Sequence, residues 1–215
     1  MTVVNPGRRA QREAPVPDTP TARRRQAAAT EDAFIAAATA LFARRGYHGT
    51  SIADLAAELG LTTASLYYHV ASKQELLMRV LTNGITPYLD RLEAIVAAGE
   101  DPRTTLRAAV HNHLSSALHD QDAVAVFHRE RRFLEAPHRE LHEQRVARYD
   151  QLFTGVIAAV LAEGDVPGDP DLLRLAALGL MNWTVEWYEP GGRRSADEVL
   201  ETFTGLITDR LLGPA

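Results

Sequence analysis

Between Gly46 and Glu75 the sequence stops and restarts a helix three times. Gly46 ends a first helix, because glycine takes the left-handed conformation that closes a helix without steric cost. Ser51, with Asp54 three residues on, reads as a capping box that opens a second. Ile52, Leu55, Ala56 and Leu59 fall at i, i+3, i+4 and i+7 and give that helix one buried face. Gly60 closes it, Thr62 caps a short third helix to about His69, and Ser72 with Glu75 caps a fourth. Short helices joined by such tight turns have few ways to pack. The spacing suits a helix-turn-helix, which pushes its second helix into the DNA major groove. A small three-helix bundle with no DNA role fits the same pattern.

Periodicity elsewhere is also helical. Phe34, Ala38, Leu41 and Phe42 form one stripe over residues 31–45. The fourth helix is expected to run to about Ala98, with Pro87 kinking it where a backbone donor is missing. Asp101 and Pro102 open a fifth helix to about His119. A sixth covers roughly 122–134, and a long seventh runs from Pro137 to about Glu163. After a turn-rich break at 164–170, helices over 172–188 and from Ser195 to about Leu212 complete the chain. The predicted fold class is therefore all-α, with about nine helices. An N-terminal three-helix unit over 29–75 precedes a helical body over 76–215. Residues 1–28 hold four prolines, scattered arginines and few large apolar groups, and are expected to form a disordered basic arm. Arg23, Arg24 and Arg25 on that arm suit either a minor groove or plain solvation.

Composition removes several function classes. The chain has no cysteine, which excludes disulfides, thiolate metal sites and cysteine catalysis. No apolar run reaches the length of a bilayer, and the N-terminus lacks the apolar core of a signal peptide. A cytoplasmic protein with no membrane partner is expected. There is no Gly-rich phosphate loop, nucleophile elbow or zinc-protease motif, so an enzyme is not expected. His138 and His142 lie at i, i+4, a spacing that can share a metal, yet no third ligand follows at a clear spacing. No metal and no cofactor are predicted. The net charge is −5, but residues 1–80 carry ten basic and seven acidic groups, leaving the rest acidic. Positive potential at one end is what attraction to phosphates requires.

On the third helix, Leu66 and Val70 share an inward face, which leaves Thr62, Thr63, Ser65, Tyr68 and His69 outward. Hydroxyls at a helix N-terminus donate to phosphates or base edges, and Ala64 or Thr63 suits a thymine methyl. Tyr67 can pack its ring while its hydroxyl reaches a phosphate. Lys73, the chain's one lysine, begins the fourth helix beside exposed amides, a phosphate-binding combination. Ser51 is expected to hold a second phosphate through its backbone amide.

The run FIAAATALFARRGYHGTSIADLAAELGLTTASLYYHVASKQELL carries Gly46-Tyr47, Thr50-Ser51, Ala56 to Gly60, Leu66-Tyr67-Tyr68-His69 and Ser72-Lys73. Over residues 31–81 it resembles the DNA-binding domain of the TetR family of transcriptional repressors. The resemblance implies that Thr63, Ala64, Ser65 and Tyr68 read bases, while Ser51, Tyr67, His69 and Lys73 hold phosphates. Two departures are visible: Val70 stands where an aromatic is usual, and Ala53 where an arginine is frequent. The resemblance also implies a homodimer on a palindromic double-stranded DNA operator, with reading helices about 34 Å apart. Its last two helices form the family's dimer interface, here Leu175, Gly179 and Trp183 with Val199, Phe203, Leu206 and Ile207. The segments PHRELHEQRVARYDQLFTGVIAAVLAEGDV and LMNWTVEWYEPGGRRSADEV resemble a subgroup released from DNA by small hydrophobic effectors, among them acyl-CoA thioesters of lipid and steroid breakdown. Asn182, Trp183 and Trp187 then become ligand-wall candidates, and Arg129, Arg131 and Arg132 candidates for the pocket mouth. Core packing and a solvated face are the plainer readings of those side chains. A different hydrophobic effector, a ligand-free regulator and a helical enzyme are the alternatives. A large apolar cavity in the body discriminates among them.

Overall fold

The structure is a computed structural model that describes the backbone of residues 20–211 and the side chains of residues 31–209. Nine α-helices and no strand occur among the described residues: α1 Pro20–Arg45, α2 Ile52–Glu58, α3 Thr63–Tyr67, α4 Lys73–Ala97, α5 Pro102–His119, α6 Gln121–Glu130, α7 His138–Glu163, α8 Pro170–Asn182 and α9 Ala196–Gly205. The expected caps are formed. Ser51 and Asp54 bond reciprocally, Thr62 accepts from the Ser65 amide, and Ser72 accepts from the Glu75 amide. Gly46 and Gly60 take positive φ, the conformation each helix stop needs. Among the described residues no helix is long and apolar enough to cross a membrane.

Three boundaries differ from expectation. α1 begins at Pro20. Alanines 27–29 and the neighbouring arginines are good helix formers, and proline at the first turn loses no bond. Residues 20–28 are thus helical rather than part of a disordered arm, and 1–19 lie outside the described residues. α6 ends at Glu130, and Arg131–Phe133 tightens into a 3-10 turn. α8 ends at Asn182, well short of Tyr188. The Thr184 hydroxyl bonds the Met181 carbonyl at 2.7 Å, and Trp183–Glu186 continues as a 3-10 turn. Trp187 and Tyr188 therefore lie beyond the helix. After α9, Leu206–Leu211 widens into a π-helical turn.

Two cores divide the chain. The N-terminal core holds Phe34, Leu41, Phe42, Leu55, Leu66, Leu76, Leu77 and Leu81, together with Val126 and Leu134 from the body. The larger core holds Tyr88, Leu92, Leu106, Leu114, Phe153, Ile157, Val160 and Met181. The division falls inside α4, between Leu81 and Tyr88, not at residue 75. One helix belongs to both cores, so head and body cannot move independently of it. At roughly 1.5–3 kcal/mol per buried aliphatic or aromatic side chain, neither core is marginal.

Candidate nucleic-acid interface and ligand cavity

The corner between α1 and α2, the start of α3 and the start of α4 enclose an open groove lined by His48, Ser51, Thr63, Tyr67 and Lys73, with Asp54 at its edge. Leu66 and Val70 are buried beneath it, at 0% and 1% exposure, which fixes the orientation of α3. Tyr67 and Tyr68 are 54% and 91% exposed, far above what a tyrosine with no partner normally shows. Thr63, Ala64 and His69 are exposed as well. Lys73 places its Nζ 4.2 Å from the centre of the Tyr47 ring, a cation–π contact that aims the ammonium along the groove. Partial burial lowers its pKa, against the attraction of Asp54 and Glu130.

Two expectations for this surface are corrected. The Ser51 amide donates to Asp54 at 2.7 Å, so it is not free to hold a phosphate. The capping box uses the donor first, and a carboxylate at that point repels phosphate. The Thr62 hydroxyl is engaged with Ser65 at 2.8 Å and caps α3 rather than reaching for DNA. Of the other residues expected at DNA, Thr63, Ala64, Tyr67, Tyr68 and His69 are exposed on or beside α3, and the Ser65 hydroxyl is engaged by Thr62. Lys73→Ala is expected to weaken binding to every DNA sequence and to reduce the salt slope of log K by about one unit. Tyr67→Phe should weaken binding without changing that slope. Fluorescence anisotropy across a salt series checks both, and unchanged operator affinity would remove these residues from the phosphate grip.

A cavity of about 290 Å³ lies in the body between α4, α5, α6, α7 and α8. Its greasy wall is Ile85, Val124, Phe127, Val146 and Leu178. Its polar wall includes Tyr88, His113, His128 and Asn182, and the Asp150–Arg174 pair at 2.9 Å. His113 is fully enclosed: Nδ1 faces the Tyr149 hydroxyl at 2.8 Å and Nε2 the Asn182 amide oxygen at 3.0 Å. Burial pushes its pKa down to about 4. Of the expected ligand residues, Asn182 lines the cavity. Trp183, Trp187 and Arg129 do not. Trp183 lies on the outward face it shares with Leu175 and Gly179 and is 64% exposed, while Trp187, beyond the end of α8, packs on Phe203 at 5.8 Å. Arg129 is paired with Glu186 at 2.9 Å. Arg131 lines the cavity instead and lies over the Phe127 ring, whereas Arg132 lies over Phe133. The enclosed His113 and Tyr149 were not anticipated. Neither has a sequence signal beyond sitting on an apolar face, where a histidine usually means packing. Among the described residues no three His, Asp or Glu groups converge on a possible metal position; His142 is buried against Phe127 instead.

Leu172, Leu175, Gly179 and Trp183 form one exposed apolar stripe along α8, and Leu206 is exposed at the end of α9. A Cβ added at Gly179 meets nothing within 4 Å. Val199 and Ile207 are only 4% and 1% exposed and belong to the internal core, and Phe203 is partly buried against it. Of the residues expected at an interface, Leu175, Gly179, Trp183 and Leu206 lie exposed, with Leu172 beside them, whereas Val199 and Ile207 are enclosed in the protomer. Val199, Phe203 and Ile207 repeat every four residues and share the inward face, while Leu206, one step around the helix from Ile207, is exposed.

Residues 34–80 match the family of bacterial regulatory proteins called the tetR family, and residues 99–211 match a tetracyclin repressor-like C-terminal domain. The HTH-type transcriptional repressor KstR2 of Rhodococcus jostii (strain RHA1) is 31% identical over 180 residues, which is 82% of this chain and 88% of that protein. The solved structure of the ketosteroid transcriptional regulator KstR2 of Mycobacterium tuberculosis has a TM-score of 0.76 at 25% identity, covering 82% of this chain and 92% of its own. A TetR/AcrR-family regulator from Thermobifida fusca YX-ER1 has a TM-score of 0.66 at 30% identity, covering 88% of this chain and 98% of its own. With both halves matched, an exposed reading helix and a cavity in the body, this chain belongs to the tetR family of DNA-binding transcriptional regulators and is not an enzyme.

Proposed function

We propose that this protein is a dimeric repressor that holds a palindromic operator until a small, mostly apolar effector enters the body. The observation that carries this reading is α6, which has one face in each unit. Val126 packs in the head core, and Glu130 accepts a buried bond from the Tyr47 amide at 2.9 Å. Val124 and His128 line the cavity, Phe127 both lines it and packs against the head core, and Arg131 lines it from the turn after α6. Just beyond, Gln74 donates to the Tyr47 hydroxyl at 3.0 Å and the Phe133 carbonyl at 2.9 Å, and accepts from the Glu135 amide. Tyr47 in turn carries Lys73 on its ring. A ligand pressing on Phe127 thus moves the same helix that braces the phosphate grip. By linkage, operator DNA weakens effector binding by the factor by which effector weakens operator binding.

Cavity size bounds the effector. About 290 Å³ is near the lower end of small-molecule sites, which run from roughly 300 to 1,000 Å³. A fused-ring or medium acyl body fits, whereas the nucleotide of a coenzyme A thioester stays outside, beside Arg131 and Arg132. A regulator acting without a ligand has no use for such a cavity. The M. tuberculosis relative is named a ketosteroid regulator, which favours a steroid-derived body here. Adding steroid-derived, long-chain and branched-chain acyl-CoA thioesters to a protein–operator gel shift should release DNA with at least one class. A panel without effect removes the thioester reading. Mass spectrometry of molecules retained by the purified protein then identifies any other occupant.

A further inference from the structure

We infer that the cavity selects a ligand carrying a hydrogen-bond-accepting oxygen, which Asn182 recognises through its side-chain amide nitrogen. The inference rests on reading this cavity as the effector site and adds the polarity of what it holds. The amide oxygen of Asn182 lies 3.0 Å from His113 Nε2, and an oxygen at that distance demands a proton on Nε2. A neutral imidazole then has a bare Nδ1, which accepts from the Tyr149 hydroxyl at 2.8 Å. His113 stays neutral at physiological pH because burial disfavours its charged form, at a pKa of about 4. The donors therefore run one way, from Tyr149 to His113 to Asn182. This chain fixes the amide so that its oxygen is occupied and its nitrogen is presented to the cavity that Asn182 lines.

The neighbouring polar groups agree in sign. The Tyr88 ring meets His113 edge-on at 5.3 Å and lines the same cavity, and the Tyr88 hydroxyl is buried with no hydrogen-bond partner. A hydroxyl left in that state is costly unless something supplies an acceptor. His128 lies beside the Asn182 amide, and burial lowers its pKa. Its side chain is hydrogen-bonded to Asn182, which helps hold the amide in place. Two donors at one end, the Asn182 amide nitrogen and the Tyr88 hydroxyl, and aliphatic side chains at the other describe a compact ring or acyl body ending in a ketone, ester or thioester carbonyl. A pure hydrocarbon leaves these donors unpaired.

Isothermal titration of the full-length protein with trans-decalone and trans-decalin, which differ by one carbonyl oxygen, tests this. Wild-type protein should bind the ketone roughly three- to tenfold more tightly, the usual gain from one hydrogen bond. Asn182→Leu should erase the preference by weakening the ketone alone. Tyr88→Phe loses only an unpartnered hydroxyl, so it should keep the melting temperature of the free protein while reducing the preference. Tyr149→Phe should also reduce it, by freeing the imidazole tautomer. Equal affinity of wild-type protein for both probes, or a preference that survives Asn182→Leu, overturns the assignment while leaving the cavity as a ligand site. If neither probe binds, the cavity reading fails and the inference with it.

Discussion

Gly179→Glu should convert the protein from dimer to monomer and lower operator affinity by more than about a hundredfold. The stripe of Leu172, Leu175, Gly179 and Trp183 leaves large apolar side chains in water, with Leu175 and Trp183 57% and 64% exposed. Contiguous surface of this kind marks an association site. A twofold interface uses the same patch on both protomers, so one substitution buries two new carboxylates in it. The protomer itself should not suffer. An added Cβ meets nothing within 4 Å, and glutamate is the better helix former by about 0.5–1 kcal/mol. The loss in DNA binding follows from avidity: two linked heads gain about 10²–10⁴ over one. Light scattering gives the mass and circular dichroism the fold. Because Gly179 also borders the cavity, Trp183→Glu, which does not, should give the same result. A stable dimer from both variants would falsify this interface.

Glu130→Ala should uncouple the cavity from the DNA-reading head. The Glu130 carboxylate is buried and accepts from the Tyr47 amide at 2.9 Å, across the seam between head and body. Removing it strands a buried donor, at a cost of about 1–3 kcal/mol. For a chain of this size that corresponds to a melting temperature lower by roughly 5 °C. The larger change is functional. Without this bond, movement of α6 reaches Tyr47 and Lys73 through Gln74, the Tyr47–Phe133 stack and the apolar contacts of Val126 and Phe127 in the head core. The ratio of operator affinities without and with effector, which defines the coupling, should fall several-fold toward one. Glu130→Gln retains an oxygen acceptor and should recover most of the ratio. Anisotropy titrations with and without effector measure it directly. An unchanged ratio in Glu130→Ala moves the coupling to α4 alone.

Much of the head was legible because its determinants are local. Ser51 with Asp54, Thr62 with Ser65, and Ser72 with Glu75 each satisfy a helix start within three residues, and Gly46 and Gly60 take the backbone conformation that stops one. The same locality explains the misreading of Ser51. A capping box occupies the amide that a phosphate needs, and only the bond to Asp54 shows which acceptor has it. In the body, Trp183 and Trp187 look like ligand walls as long as α8 is extended through them. Ending that helix at Asn182 seats Trp187 on Phe203, while Trp183, four residues after Gly179, stays on the solvent face. Likewise Val199, Phe203 and Ile207 shared an apolar spacing with Leu206, but the first three fall on the face that packs into the body and only Leu206 is left in water.

The sequence by itself determined the helices, the caps and turns of the reading head, and the family. These follow from propensities and hydrogen bonds between residues a few positions apart. Tertiary structure alone decided which α6 residues face the head and which the cavity. It also decided that His113, Tyr149 and Asn182 meet and that Gly179 lies open on the surface. Such facts depend on how distant helices cross, and burial turns them into chemistry. In water His113, Asn182 and Glu130 would each bond to solvent; enclosed, each must find a partner in the chain, and that need orders the cavity and ties it to the head.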